Sequence, residues 1–259
     1  MPEGDTVYRS AKALNGVLEG AVITRCDIRV PAFATVDLTG ETVENVVSVG
    51  KHLLHRIGDV SIHSHLKMEG SWHIYRPGTA WQRPAFQARA ILETSEWVTV
   101  GFSLGIVEVV PRSAEDDVVG YLGPDILSPR WDADVALAHL AADPERPIGL
   151  ALLDQRVIAG LGNVYRNELC FLRGVLPTRP VGEVPDLPAL VTLAHRLIGA
   201  NRDRVTRVTT GDTRPGKMLW VNSREGKPCL RCGTRIRRGS LGETPLTQRD
   251  TYFCPRCQS

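Results

Sequence analysis

The sequence predicts an α+β protein of two domains: an N-terminal antiparallel β-sandwich that begins with a helix, and a C-terminal helical domain that ends in a cysteine-bearing hairpin. Short apolar runs separated by Gly, Pro and Asp occupy residues 21–111, whereas helical periodicity dominates from residue 132. Four of the six cysteines lie in the last 31 residues. A chain of 259 residues with 42% hydrophobic content is long enough for two cores.

The N-terminal domain is predicted over residues 1–120. Apolar residues recur at helical spacing from Val7 to Leu18, which predicts a helix over 6–18 with Asp5 or Thr6 as its N-cap. Short strands are predicted at 21–30, 52–57, 61–66, 87–92, 97–102 and 106–110. Many short strands with turn residues between them indicate a sandwich.

Residues 112–130 are acidic and contain Gly123-Pro124-Asp125, which predicts an interdomain linker at 121–130. A helical domain follows at 131–223. Its helices are predicted at 132–142, 147–158, 163–172 and 187–204, and its polar stretch 207–222 is predicted to be a loop. The cysteine module occupies 224–259.

Composition and charge restrict the class of protein. The chain has no apolar run near the roughly 20 residues of a membrane span, and it starts without a basic-then-apolar leader. We therefore predict a cytoplasmic protein with reduced cysteines and no membrane partner. Residues 201–259 carry 13 basic and 5 acidic side chains, a net charge of +8, whereas residues 1–200 carry a net charge of −6. A basic end predicts a polyanionic partner.

Two Cys-x-x-Cys pairs form the strongest local motif. Cys229 and Cys232 are followed after 21 residues by Cys254 and Cys257, a spacing typical of four thiolate ligands around one tetrahedral zinc. Between the pairs, 234–238 and 247–253 are predicted to form a hairpin. All four coordination positions are filled, so we predict a structural zinc; the alternative is four reduced cysteines without metal.

A glycine-containing turn forms the second motif. Gly160 and Gly162 allow a tight turn between two helices, and Asn163 is predicted to cap the second one. A helix N-terminus attracts phosphate, so this helix–turn–helix is predicted to hold a nucleic-acid backbone. The alternative is a turn that only joins two helices.

The first residues, Met1-Pro2-Glu3-Gly4-Asp5-Thr6, carry candidate chemistry. Removal of Met1 would give Pro2 a free secondary amine, and an α-amino group has a pKa of roughly 8, so part of it is nucleophilic at neutral pH. Glu3 is a candidate proton donor. The alternative is an ordinary frayed terminus.

Three internal residues are further candidates. Lys51 lies between two predicted strands, where it holds phosphate or moves protons, or is merely an exposed turn lysine. Lys67 and Met68 lie at a predicted loop tip, where Met68 is either an apolar wedge into DNA or a packing residue. His63 and His65 share a strand face without further nearby ligands, which argues against a metal site there.

In combination these motifs resemble the formamidopyrimidine-DNA glycosylase and endonuclease VIII family of DNA repair enzymes over essentially the whole chain. The resemblance rests, in order, on PEGDT at 2–6, VGKHLL at 49–54, SHLKMEGSW at 64–72, LGPDIL at 122–127, LLDQRVIAGLGNVYRNE at 152–168, REGKPCLRCG at 224–233 and QRDTYFCPRCQ at 248–258.

The resemblance implies a β-sandwich, a helix–two-turn–helix domain and a zinc finger. It implies a bifunctional DNA glycosylase and AP lyase of base excision repair, in which Pro2 attacks the deoxyribose C1′ and Glu3 protonates the sugar ring oxygen. Lys51 matches the β-elimination lysine, Asn163 the turn residue that holds phosphate, and Arg249 the zinc-finger arginine of δ-elimination. Lys67 and Met68 match the loop that enters the duplex.

Within the family the chain resembles the endonuclease VIII branch, because it begins PEGDT and because residues 101–105 lack the Arg-Arg-Phe of the purine branch. This implies that the protein excises oxidised pyrimidines from double-stranded and single-stranded DNA, cleaves abasic sites, and acts as a nucleoid-associated monomer. The chain departs from the pattern of that branch at two places. It has Lys67-Met68-Glu69 where endonuclease VIII usually has Gln-Leu-Tyr, and Tyr121 where some family members have an arginine. The alternatives are an 8-oxoguanine glycosylase of the same family, and a non-catalytic zinc protein that binds damaged DNA.

Overall fold

The structure, a computed structural model, describes residues 2–259 and divides the chain into two compact units, Met1–Tyr121 and Leu122–Ser259. Each unit has its own elements and its own buried residues.

The first unit is a helix followed by two four-stranded antiparallel sheets, as predicted. Its elements are α1 (Gly4–Leu18), β1 (Arg25–Ile28), β2 (Val43–Val49), β3 (His52–Ile57), β4 (Val60–His65), β5 (Ser71–Tyr75), β6 (Ala88–Glu93), β7 (Val98–Phe102), β8 (Ile106–Pro111) and α2 (Asp116–Val119). One sheet has the order β1-β6-β7-β5 and the other the order β2-β3-β4-β8.

The core of this unit combines one face of α1 with residues from both sheets. Val7, Leu14 and Leu18 from the helix pack with Leu53 and Ile62 from the second sheet, all essentially inaccessible to water. Burying each such side chain contributes about 1.5–3 kcal/mol. Strand alternation sends the neighbouring residues of β3 and β4 to the opposite face of the sheet, where the histidines described below lie.

Three details of this unit differ from the sequence prediction. α1 begins at Gly4 with Glu3 as its N-cap, so neither Asp5 nor Thr6 caps it. The strand predicted at 21–30 is shorter in the structure, where β1 covers only Arg25–Ile28. A short 3₁₀ turn that starts at Pro31 follows it at 31–33. β2 and β5 are additional strands.

The second unit is helical and ends in a hairpin. Its elements are α3 (Ala133–Ala141), α4 (Ile148–Ala151), α5 (Asn163–Arg173), α6 (Leu187–Gly199), β9 (Arg237–Leu241) and β10 (Arg249–Phe253). Residues 122–127 pack within this unit, since the backbone N–H of Gly123 donates to Gln155 and that of Ile126 donates to Ala159.

Three predicted elements are corrected here. The helix expected over 147–158 is a single turn, because the Asp154 carboxylate accepts the backbone N–H of Arg156 and turns the chain. The helix expected over 187–204 ends at Gly199, beyond which the Asn201 side chain bonds to both backbone groups of Val208. The first hairpin strand lies at 237–241 rather than 234–238, paired in register with β10.

The cysteine module packs on α5. Phe171 of α5, Val221 and Ile236 form a small apolar cluster with Cys229 and Cys254. No helix within residues 2–259 is both long and apolar enough to cross a membrane.

Candidate active site and nucleic-acid interface

The candidate nucleophile and acid lie at the start of α1. Pro2 is half-buried and Glu3 is fully buried. The carbonyl of Glu3 accepts the backbone N–H groups of Thr6 and Val7, so the first helical turn fixes its backbone. Met1 lies outside the described residues, and its removal stays a prediction.

Lys51 lies in the two-residue turn that joins β2 to β3, where Val49 pairs with His52. Gly50 has a φ of 59°, the left-handed conformation that this tight turn requires. The positive charges of Lys51 and Lys67 both act on His52 and His65. The two lysines therefore lie near the same pair of histidines.

Burial of these histidines changes their titration. Burial, reinforced by the neighbouring positive groups, lowers the pKa of His52 to about 3 and that of His65 to about 4. Both imidazoles are neutral at physiological pH, so each has one N–H donor and one acceptor nitrogen.

His52 and His63 belong to a chain of four hydrogen-bonded side chains. The Tyr121 Oη lies 3.1 Å from His52 Nε2, His52 Nδ1 lies 2.7 Å from His63 Nε2, and His63 Nδ1 lies 2.8 Å from Glu108 Oε2. His63 thus uses both ring nitrogens within the protein, in agreement with the expectation that it is not a metal ligand. Among residues 2–259, the only group of three or more potential ligands within reach of one ion is the four-cysteine cluster.

The loop between β4 and β5 presents Lys67 and Met68. Lys67 has a φ of 52°, and its backbone N–H donates to His65 Nδ1 at 2.9 Å, which holds the turn. The Met68 side chain is 62% exposed, so it is not a packing residue. A cavity of about 400 Å³ adjoins this loop, between the outer face of α1 and the start of β5, with Arg9, Leu66, Gly70 and Trp72 among its lining residues.

The turn before α5 is closed by Gln155. Its side-chain amide donates to the carbonyls of Leu153 and Leu161 and accepts the backbone N–H of Gly160. Gly160 has a φ of 105°, a conformation that side chains disfavour. The turn therefore depends on one glycine and one glutamine.

Asn163 has a different place from the predicted one. Gly162 is the N-cap of α5 and Asn163 is its first helical residue, so its side chain does not cap the helix. Its Nδ2 instead donates to the carbonyl of Asp250 at 3.0 Å, and its Oδ1 accepts from Arg166. Arg166 is fully buried and donates to the same Asp250 carbonyl at 2.8 Å.

These bonds fix the N-terminus of α5 against β10. Arg249, the exposed first residue of β10, directly precedes Asp250, and it donates to the carbonyls of Leu246 and Gln248. The structure thus places Asn163, at the positive end of an eleven-residue helix, against the backbone of Asp250, the residue that follows Arg249 in β10.

Glu168 anchors the irregular segment 207–222. Its buried carboxylate accepts the backbone N–H groups of Trp220, Val221 and Asn222, together with the hydroxyl of Thr209. Both ends of this segment are therefore fixed to the second turn of α5.

The four cysteines of the module fit one zinc ion. Their Sγ atoms all lie within 4.8 Å of one another. Zinc–sulfur bonds of 2.3 Å in a tetrahedron require Sγ–Sγ separations of roughly 3.8 Å. The four Sγ atoms would therefore move only slightly towards one another to bind the ion. Four thiolates leave no open coordination position, so the zinc is structural, as predicted.

The fold and these sites define a class of protein: a DNA-binding protein with an N-terminal sandwich, a helix–two-turn–helix domain and a zinc finger. Three family models match in chain order. Residues 1–103 match the formamidopyrimidine-DNA glycosylase N-terminal domain, 122–196 its H2TH domain, and 226–259 the zinc finger found in FPG and IleRS. The chain belongs to the formamidopyrimidine-DNA glycosylase and endonuclease VIII family, in its endonuclease VIII-like branch.

Relatives that match over the whole chain support this branch. The chain is 54% identical to the DNA-(apurinic or apyrimidinic site) lyase Nei2 of Mycolicibacterium smegmatis, over 100% of this chain and 99% of that protein. It is 52% identical to endonuclease 8 2 of Mycobacterium tuberculosis, over 100% of both chains. It is 32% identical to the formamidopyrimidine-DNA glycosylase of Paracoccus denitrificans, over 100% of this chain and 99% of that protein.

Solved structures share the fold. A complex of MutM with DNA containing carbocyclic 8-oxo-G is similar with a TM-score of 0.80 at 22% identity, over 100% of both chains. A complex of the Lactococcus lactis Fpg with DNA containing an abasic site gives 0.78 at 21% identity, also over 100% of both chains.

Some residues around these sites were absent from the sequence prediction as site residues. Gln155, Arg166 and Glu168 lie inside a predicted motif, but nothing in their spacing indicates their partners. His52 and Glu108 become visible only from strand pairing, which places Glu108 beside His63.

Proposed function

We propose that this protein is a bifunctional DNA glycosylase and AP lyase of base excision repair that excises oxidised pyrimidines. The observation that carries the proposal is the fully buried Glu3 fixed at the start of α1, directly after Pro2. The chain belongs to a family of DNA glycosylases, and a relative at 54% identity is named an apurinic or apyrimidinic site lyase.

In the proposed reaction, the amine of Pro2 attacks C1′ of the damaged nucleotide while Glu3 donates a proton to the deoxyribose ring oxygen. The glycosidic bond breaks and the base leaves with its electron pair. The C1′–O4′ bond then opens on the protonated ring oxygen, which becomes the 4′-hydroxyl, and the attacking amine, having lost its N–H proton, forms an iminium ion at C1′. The iminium acidifies the C2′ proton, which Lys51 removes. Its electron pair forms an enamine and the 3′ phosphate leaves; a second elimination releases the 5′ phosphate, assisted by Arg249.

The second unit supplies the proposed grip on the DNA backbone. Asn163 lies at the positive end of α5, where phosphate is favoured, and bonds to the backbone of Asp250, next to Arg249 in β10. Structural zinc holds the hairpin that carries Arg249. In the first unit, Lys67 contacts backbone and Met68 enters the stack when the damaged nucleotide is flipped out.

The proposed preference for pyrimidines follows from the cost of flipping. A ring-saturated pyrimidine stacks poorly, so its extrusion requires little binding energy, whereas 8-oxoguanine still stacks and pairs with cytosine. Residues 103–105 join β7 to β8, and the stretch 101–105 contains no Arg-Arg-Phe segment that would support the opposite strand. Abasic sites and lesions in single-stranded DNA are accepted for the same reason. We further propose that the enzyme acts as a monomer on nucleoid DNA in the cytoplasm.

Single-turnover excision from duplexes that differ only in the lesion tests this proposal. We expect 5-hydroxyuracil and thymine glycol to be released faster than 8-oxoguanine opposite cytosine. Faster release of 8-oxoguanine would make the protein a purine glycosylase of the same family. Absence of excision and of abasic-site cleavage would favour a damage-binding protein.

A further inference from the structure

The hydrogen-bonded side chains Tyr121, His52, His63 and Glu108 cross one face of the sheet β2-β3-β4-β8, and the reaction described above does not use them. Their three hydrogen bonds measure 3.1, 2.7 and 2.8 Å. The two histidines in the middle are buried, whereas both ends reach the surface: Tyr121 is 54% exposed and the Glu108 side chain 43%. A chain of hydrogen-bonded side chains whose two end groups are exposed to solvent provides a path for proton transfer.

The direction of every hydrogen bond follows from the Glu108 end. An ionised carboxylate only accepts, so His63 donates from Nδ1 and accepts at Nε2. His52 then donates from Nδ1 and accepts at Nε2, which leaves the Tyr121 hydroxyl as the donor to His52. The neutral state of His52 that this order requires agrees with its lowered pKa.

The Tyr121 oxygen is the exposed end of the chain next to His52, and it keeps acceptor capacity. Its proton points inward to His52, so its lone pairs are available to a proton from the reaction. Lys51 precedes His52 in the chain, and its charge acts on both His52 and His65. The proposed base of the lyase step is therefore the chain neighbour of His52, the histidine that is hydrogen-bonded to Tyr121.

We propose that Tyr121, His52, His63 and Glu108 form a reversible proton store for the lyase step. This inference rests on the proposed function of Lys51 as the base.

The transfer balances in both directions. The Lys51 ammonium passes its proton, directly or through one water, to the Tyr121 oxygen, and the original Tyr121 proton moves to His52 Nε2. The His52 Nδ1 proton moves to His63 Nε2, and the His63 Nδ1 proton moves to Glu108 Oε2. Lys51 becomes a neutral amine, Glu108 becomes a neutral acid, and both histidines stay neutral in the opposite tautomer. In the reverse sequence His52 returns a proton to the Tyr121 oxygen, which gives its outward proton back to the neutral Lys51 amine. This transfer follows the cut of the strand and restores the first tautomers, the Glu108 carboxylate and the Lys51 ammonium.

Glu108→Gln tests the store at its far end. The glutamine Oε1 still accepts from His63 Nδ1, so the contact is kept, but an amide does not take up the proton. Tyr121→Phe removes the entry atom and leaves the ring. Glu96→Gln is the matched control, because Glu96 is an exposed acid of the same unit whose partner is Arg76.

We expect both variants to cut a preformed abasic site about 100-fold more slowly, the lower end of what acid–base catalysis contributes. Borohydride trapping of the iminium should stay at the wild-type rate, and the slowing of cleavage in D₂O should be smaller than for the wild type. Glu96→Gln should match the wild type.

Two results would overturn the store. The first is that both variants cleave at the wild-type rate and show the wild-type D₂O effect. The second is that trapping and cleavage fall equally, which would mean that these side chains only hold the structure. If the wild-type protein itself neither trapped nor cut, the proposed function would fail instead.

Discussion

The N-terminal unit and the cysteine module at the C-terminus obtain their stability in different ways. The sandwich has a core of 17 buried apolar residues drawn from α1 and both sheets. The module's cluster has five, of which two are zinc-binding cysteines and one, Phe171, comes from α5. Zinc contributes about 10–16 kcal/mol to the folding of such modules, so metal replaces the core that 36 residues cannot build.

The two sources of stability coincide with two proposed roles: the residues of the proposed reaction lie in the N-terminal unit, and the proposed phosphate contact of Arg249 lies in the module. The candidate nucleophile and acid lie on a helix whose buried face is part of the large core, so their positions do not depend on a metal. Arg249 lies on a hairpin that depends on one. Each prediction below affects one region and leaves the other intact.

The largest effect is expected from removing zinc. Cys229→Ser, or treatment with a chelator, should unfold the hairpin and remove Arg249 from the Asn163 site, which weakens DNA binding about 100-fold through lost charge-assisted hydrogen bonds. Fluorescence anisotropy with an abasic-site duplex measures this, and zinc content is measured in parallel. Cys26→Ser is the control, because Cys26 lies in β1. Full DNA affinity in the metal-free protein would contradict the assignment.

A loss of similar size is expected from substitution of Glu3, but in base excision activity and not in DNA affinity. Glu3→Gln should lower base excision by about 100-fold or more, because the leaving base requires protonation of the sugar ring oxygen. Cleavage of preformed abasic sites should fall much less, and DNA affinity should not change. Glu19→Gln, at the exposed end of α1, is the control. An equal fall of both activities in single-turnover assays would mean that Glu3 positions Pro2 rather than donating the proton.

Acid should destabilise the sandwich before the module. Burial lowers the pKa of His55 from 6.5 to about 4, so the folded protein keeps it neutral while the unfolded chain binds a proton. Stability is complete above pH 6.5 and falls as the pH drops towards 4, by about 2 kcal/mol at pH 5 for this one residue. His55→Phe should make thermal unfolding of this unit less dependent on pH between 5 and 7, whereas His139→Gln in the second unit should not. An unchanged pH dependence in His55→Phe would assign the acid sensitivity elsewhere.

The smallest effect is expected at a single phosphate contact. Arg249→Ala should weaken DNA binding about tenfold and reduce the salt dependence of the affinity by about one charge, with no sequence preference. Arg237→Ala, at the opposite end of the hairpin, should have a smaller effect. Equal losses in titrations at several salt concentrations would indicate a diffuse basic surface instead of a built phosphate site.

The sequence predicts the parts of the molecule that depend on local pattern. The apolar period of α1, the strand His52–Ile57 and the cysteine spacing are all local, and each is found in the structure. The fold class and the zinc site are confirmed in this way. The first hairpin strand begins three residues later in the structure than in the prediction, at 237 rather than 234. Its position depends on how β9 pairs with β10, and the residue types contribute little to that register.

Contacts between distant residues explain what the sequence could not predict. Asn163 is a good N-cap by type, but the Asp250 carbonyl, 87 residues away, takes its amide instead. The hydrogen bond of His63 to Glu108, 45 residues away, and that of His52 to Tyr121, 69 residues away, likewise leave no local pattern in the sequence. The roles assigned to Pro2, Glu3 and Lys51 come from the family resemblance, with the buried Glu3 as their structural support.

Borohydride trapping at residue 2 tests the central claim, that Pro2 is the nucleophile, most directly. The protein with a free Pro2 should form a covalent complex with DNA that contains an abasic site, and peptide mapping should locate the bond at Pro2. A matched protein with Met1 retained should bind the same DNA with equal affinity and form no complex. Equal trapping by the blocked protein would contradict the account and assign the nucleophile to another amine, with Lys51 the first to examine.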